Sequence, residues 1–565
     1  MKKQVYLLII SLFAFFPSGM MAQQILNTPP NAPLRTMAEW EEIQALVVTW
    51  RDYKSTLAEI IRYAQEECRV IVHVPSTSSV SAAQNELTNT YNVPLGPNVS
   101  LISQPSNSLW IRDYGANSVY MNDVDSLFLV DWKYNRPSRV QDDTIPRRYA
   151  RELGLNLVQT TVSPNTLIHT GGNFMSDGFG TAFSSNLILD ENPSQTEAGI
   201  DQLHLDYMGI DRYIKMPTLP YDGIHHIDMH VKLLDEETLL WSQYPTGVAD
   251  GPQIEANLLY VLDNFNSVFG TPYKIRRIVA PPDYSGNGTP IYPNNNGDYR
   301  TYSNTVFVNK KVLLPIYNSP YDTTAVRIYS ENLPGYEIVP INCTNIIAAS
   351  GAIHCITHSV GVNDPLLISH QPLSDTYDTQ NPYIVNALMK HRSGIASAQL
   401  YYTTDTLMPY SVIDMIPGTT TDTWTAAIPA QAAGTTVYYY VRAVSESGKI
   451  QVRPITSPDG WWSFRVLSDV VTQSGTAALD AGLYSNLFPN PSEGLTCLEL
   501  RAPRDLQVDV RVWDASGRML ETLHIGKLAG PEQRLYLNAP NYAKGVYLIE
   551  LHTTLGSRML KWMVR

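Results

Sequence analysis

The chain has 565 residues, more than one hydrophobic core usually fills, so two or three domains are expected. Hydrophobic residues make up 44%, which excludes a disordered chain. With 40 basic and 53 acidic residues the formal net charge is −13, which argues against nucleic-acid binding and mildly favours cationic ligands.

Lys2 and Lys3 precede an apolar run from Val5 to Phe16, then Pro17 and small residues up to Ala22. This pattern predicts a cleaved signal peptide over residues 1–22. The run is shorter than the roughly 20 residues a bilayer needs and no later run is longer, so no transmembrane span is expected. Ile43 to Trp50 reads as a strand. Ser55 to Glu67 follows as a helix with Leu57, Ile60, Ile61 and Ala64 on one face, and Arg69 to Val74 as a second strand. Similar alternation runs through Val99 to Leu101, Ser126 to Tyr134, Leu167 to Asn173, Val231 to Trp241, Val306 to Pro315 and Leu366 to His370, which predicts an α/β domain over residues 30–372. Beyond Asp375 short strands alternate with turn residues, as expected of an immunoglobulin-like β-sandwich over residues 376–468. A polar linker over 469–483 leads to a last block of strands and turns, residues 484–565.

Four segments concentrate reactive side chains: Trp110 to Tyr114, His226 to Asp228, Tyr302 to Asn304 and His354 to His358. Each is expected at a strand end or turn, where α/β folds assemble sites from distant segments. Only four cysteines occur, Cys68, Cys343, Cys355 and Cys497, without a CxxC pair, so neither a disulfide framework nor a zinc ribbon is indicated. Cys355 has His354 and His358 beside it, a setting where positive charge could favour a thiolate, although buried cysteines are more often inert packing. His226, Asp228 and His230 alternate along a segment expected to be extended, which puts all three on one face. Such a face could hold a divalent metal, place His226 as an acid-base group beside a carboxylate, or be a hydrogen-bonded strand face without chemistry.

The order Trp-x-Arg-Asp-Tyr, Gly171-Gly172-Asn173, His-x-Asp, Tyr-x-Asn and His-Cys-x-Thr-His resembles the agmatine deiminase and bacterial peptidylarginine deiminase family over residues 33 to 372. The resemblance implies a five-bladed pentein propeller of α/β units, no cofactor and no metal. Carried over by position, it implies Cys355 as nucleophile, His226 as acid-base residue, Asp113 and Asp228 as guanidinium ligands, Asn304 in support and Trp110 as a pocket wall. A guanidinium is a weak electrophile that stays charged in water, so a catalyst must hold the charge with carboxylates and attack the central carbon with a thiolate. The last block holds Phe488-Pro489-Asn490-Pro491, Val512 to Gly517, Gly545-Val546-Tyr547 and Lys561 to Arg565, and resembles the C-terminal sorting domain of type IX secretion cargo. That implies dealings with the type IX machinery and a secreted or outer-surface location in a Gram-negative bacterium.

Tyr134-Asn135-Arg136-Pro137-Ser138-Arg139 resembles the arginine loop with which secreted peptidylarginine deiminases read a substrate carboxylate. Arg136 matches in place, whereas Ser138 is an insertion before Arg139. The expected substrate is therefore peptidyl or free arginine, with agmatine as the alternative. Two rival classes remain at this point, a metal-dependent hydrolase using His226, Asp228 and His230, and a non-catalytic surface adhesin.

Overall fold

The computed structural model describes residues 23–245, 247–376, 378–467, 483–501, 506–528, 532–553 and 556–565. The expected signal peptide and nearly all of the expected linker lie outside the described residues.

An antiparallel strand pair, a helix, and a third strand parallel to the second form a unit that recurs along the α/β region. Asn117–Met121 and Leu127–Tyr134 pair in this way, helix Ile145–Leu153 follows, and Asn156–Thr160 returns alongside Leu127–Tyr134. The same order builds Met175–Ser176, Thr181–Ser185, helix Glu197–Met208 and Arg212–Met216. It builds Val231–Leu233, Thr238–Gln243, helix Gly251–Asn264 and Lys274–Val279. It builds Val306–Val308, Lys311–Ile316, helix Asp322–Asn332 and Glu337–Asn342. The remaining unit joins the two ends of the region, because His358–Gly361 pairs antiparallel with Ile43–Thr49, which runs parallel to Arg69–Val74 after helix Lys54–Ala64. Parallel neighbours need a crossover, and the helix supplies it while covering the sheet. Leu57, Ile60, Ile61 and Ala64 are fully buried on that helix, as their period predicts. Among the described residues these sheets stay separate and none closes on itself.

Leu367–Ser369, expected as a strand of the α/β region, instead pairs antiparallel with Tyr383–Lys390 and so belongs to the following sheet. That sheet and a second one built around Ile395–Thr403 and Thr436–Ser445 enclose a core that includes Val385, Leu400, Val437, Tyr439 and Phe464. Two more antiparallel sheets form the C-terminal block around buried Trp562, whose Nε1 donates to Thr496 Oγ1 at 3.0 Å. The motif residues there make turns. Asp514 Oδ1 accepts from the backbone N–H groups of Ser516 and Arg518 at 2.9 and 3.0 Å, and Asn490 Oδ1 accepts from Met563 N at 2.8 Å.

Candidate active site

The reactive segments lie on short turns between the units. Asp113 lies on the four-residue helix Ile111–Tyr114, with Trp110 just before it. Cys355 lies on the 3₁₀ turn His354–Ile356. His226 leads into another 3₁₀ turn, Ile227–Met229, and His230 follows it. This corrects the extended segment expected from the alternation: a turn of about three residues rotates successive side chains by roughly 120°, so residues two apart do not share a face. Asp228 turns to His354, and His226 to Asp113. Among the described residues no group of three or more His, Cys, Asp and Glu side chains is arranged to hold a metal ion.

The Gly171-Gly172-Asn173 motif explains how these turns approach. A Cβ on Gly172 would lie 2.4 Å from His226 Nδ1 and 3.2 Å from Asp113 Oδ1, and one on Gly171 would lie 2.0 Å from the Arg112 carbonyl oxygen. Only glycine lets the turn pass this close. Asn173 Oδ1 accepts from Ser185 N at 2.8 Å, and Ser185 Oγ donates to the carbonyl of His225 at 2.6 Å, which braces the backbone just before His226.

Around the thiol, Asn304 Nδ2 donates to Cys355 Sγ at 3.2 Å, while its Oδ1 accepts from Ala352 N at 3.1 Å and Cys355 N at 3.4 Å. Asp228 Oδ2 stands 3.5 Å from Sγ. His226 Nδ1 lies 3.7 Å from Asp113 Oδ1, and its Nε2 lies 3.4 Å from Thr170 Oγ1. Cys355, His226, Asp113, Trp110, Arg136 and Arg139 line one cleft of about 160 Å³. Asp228 and Asn304 stand behind the thiol, fully buried. Arg139 reaches the cleft despite the Ser138 insertion, and its Nη1 donates to Tyr134 Oη at 2.9 Å.

Burial pushes the Cys355 thiol well above its ordinary pKa, and the charges of Asp228 and Asp113 add to this, against the Asn304 hydrogen bond. Burial likewise raises Asp113, with Asp228 adding and His226 opposing. Burial would raise Asp228 too, but its hydrogen bond and charge interaction with His354 prevail and lower it. Oδ1 of Asp113 and Oδ1 of Asp228 are both buried without a hydrogen-bond partner. Buried carboxylate oxygens are normally paired, so these two stand out as unsatisfied acceptors beside the thiol.

Sequence reasoning missed Glu39, Lys232 and the part taken by His354. His354 bonds Asp228 through one ring nitrogen and Glu39 through the other, each at 2.7 Å. Glu39 lies 315 residues from His354 and carries no local signal. Burial is overcome there by His354, Lys232 and Arg112, which hold the Glu39 carboxyl well below its ordinary range.

The Porphyromonas-type peptidyl-arginine deiminase family matches residues 35–360, and the secretion system C-terminal sorting domain matches residues 486–565. A Legionella pneumophila (strain Paris) protein provisionally named agmatine deiminase is 24% identical over 349 residues, 59% of this chain and 97% of that protein. The solved agmatine deiminase of Enterococcus faecalis superposes with a TM-score of 0.52 at 19% identity, covering 60% of this chain and all of that one. A Porphyromonas gingivalis structure, provisionally an arginine deiminase, gives 0.50 at 20% identity over 58% of this chain and 98% of that one. The sorting domain implies export through the type IX secretion system. No helix among the described residues is long and apolar enough to cross a membrane. A match over residues 35–360 of 565 shows that the chain belongs to the Porphyromonas-type peptidyl-arginine deiminase family, hydrolases of guanidino C–N bonds.

Proposed function

We propose that the protein deiminates arginine that carries a free carboxylate, either at the C-terminus of a peptide or as the free amino acid, giving citrulline and ammonia. The observation that carries this reading is the presence of Arg136 and Arg139 on the same cleft as Cys355, Asp113 and His226. Arginines at the mouth suit a carboxylate, and the unpartnered oxygens of Asp113 and Asp228 suit the five N–H donors of a guanidinium.

In this mechanism the guanidinium lies between the two carboxylates, with the Trp110 ring as a wall against its planar face. Its positive charge offsets the two negative charges that hold the Cys355 proton on, so substrate binding itself favours transfer of that proton to His226 and leaves the thiolate. Sγ attacks the central carbon to give a tetrahedral adduct. Protonated His226 then gives a proton to the departing nitrogen, ammonia leaves, and a covalent thiouronium remains. Neutral His226 takes a proton from water, whose oxygen attacks the same carbon; collapse expels Cys355 and leaves a ureido group. No step uses a cofactor.

Agmatine is the second reading, favoured by Glu191. One of its oxygens accepts from Asn135 Nδ2, and the other, Oε2, is buried without a hydrogen-bond partner near Arg136. A carboxylate there suits a substrate ammonium. The recurring α/β units support a five-bladed arrangement about a pseudo-fivefold axis, with the cleft at its centre. The domain limits expected from the sequence, residues 30–372, 376–468 and 484–565, and release at the cell surface complete the proposal.

Ammonia release from a peptide ending in arginine, its C-terminal amide, free arginine and agmatine tests the reading. Turnover of the free-carboxylate substrates well above the amide and agmatine supports it. Preference for agmatine refutes it.

A further inference from the structure

Asp228 is held from behind by a row of alternating charges. His354 Nδ1 meets Asp228 Oδ2 at 2.7 Å, and His354 Nε2 meets Glu39 Oε1 at 2.7 Å. Glu39 Oε2 pairs with Lys232 Nζ, which also donates to the Thr305 carbonyl at 2.8 Å, and Arg112 Nη1 lies 3.8 Å from Glu39 Oε1. His354, Asp228 and Lys232 are buried. A neutral imidazole offers one donor, so a ring with a carboxylate on each nitrogen serves both only as the imidazolium. Replacing the Glu39 charge by a neutral acceptor weakens the charge-assisted bond on Nε2 that fixes the ring, and with it the donation from Nδ1 to Asp228.

We infer that Glu39, acting through His354, is a positioning residue that keeps Asp228 ionised and aimed at the substrate guanidinium. The inference rests on Asp228 being a guanidinium ligand. The groups facing Asp228 are His354 and Cys355 from their turn, His226 and His230 from either end of its own, Asp113 and Arg112 from the short helix, and Lys232 from the strand beyond. Of these, His354 alone is within hydrogen-bonding distance through a nitrogen and is itself fixed by a second carboxylate.

Glu39→Gln keeps the side chain's shape and can still accept a hydrogen bond from His354 Nε2 while losing the charge. In full-length Cys355→Ala protein, calorimetry is expected to show the Glu39→Gln change weakening binding of a peptide ending in arginine by at least about tenfold. With Cys355 present, the loss is expected to fall mainly on KM, by about tenfold, with kcat within about twofold of the parent. His354→Gln is expected to move both readouts in the same direction, and thermal unfolding checks that each variant is folded. Folded Glu39→Gln and His354→Gln proteins with parental binding and parental KM would overturn the inference. Asp228→Asn in the Cys355→Ala background separates the two layers. If it too binds the peptide normally, the placement of the guanidinium on Asp228 fails, and the inference with it. If it alone loses binding, only the role given to Glu39 fails.

Discussion

Replacing Arg136 by alanine is expected to separate the substrates. Arg136 is exposed at the cleft mouth, while Arg139 beside it is half-buried and already donates to Tyr134. A hydrogen bond to a charged group contributes about 1.5–3 kcal/mol, or roughly 10- to 150-fold, and exposure puts Arg136 at the low end. Arg136→Ala therefore lowers kcat/KM by about tenfold for a peptide ending in arginine, and leaves its C-terminal amide and agmatine within about twofold. Arg136→Glu lowers the peptide further and raises agmatine, because the charge at the mouth is reversed. Added salt weakens the parent's preference more than that of Arg136→Ala, since the Debye length is about 8 Å at physiological ionic strength. Ammonia release measured on all three substrates is the assay. Equal losses on peptide, amide and agmatine would refute the carboxylate reasoning, since a general distortion of the cleft treats them alike.

Asp113→Asn removes one of the charges that raise the Cys355 thiol, so alkylation of Cys355 at pH 7 is expected to speed up, by about tenfold per unit the thiol falls, while ammonia release collapses. Both rates falling together would contradict this. The carboxyl of Asp113 is raised in the free protein, chiefly by burial, and a bound guanidinium favours its charged form, so the acid limb of kcat/KM should lie at higher pH than that of kcat. Coincident limbs in pH–rate profiles would remove Asp113 from the substrate. A methyl on Gly351 would lie 2.6 Å from Trp110 Cζ3 and 3.1 Å from Cys355 Sγ. Gly351→Ala should cost at least about tenfold in kcat/KM by crowding the slot, with Tm within about 4 °C of the parent. Unaltered kinetics in that variant would place the substrate elsewhere.

The sequence by itself determined the parts of this protein that depend on near neighbours. The spacing of Leu57, Ile60, Ile61 and Ala64 announced a helix with one buried face, because the α-helical period is local. The glycine pair at 171–172 and the cysteine at 355 were legible as motif residues, and the structure supplies the reason for the glycines: a side chain at either would collide with Arg112 or His226. Asp514 and Asn490 marked turns whose hydrogen bonds close within a few residues or onto the adjoining strand. The arrangement of His226, Asp228 and His230 was misjudged at this level, because alternation of polar residues fits a strand and also fits a turn whose polar side chains are claimed by different partners. Only the tertiary structure decided those partners. Asp228 meets His354, Glu39 meets His354 across 315 residues, and His358–Gly361 pairs with Ile43–Thr49. Arg139, displaced by one residue in the sequence, still borders the cleft. Such contacts depend on how the α/β units are set against one another, and nothing in a run of neighbouring residues encodes which distant carboxylate will face a given imidazole.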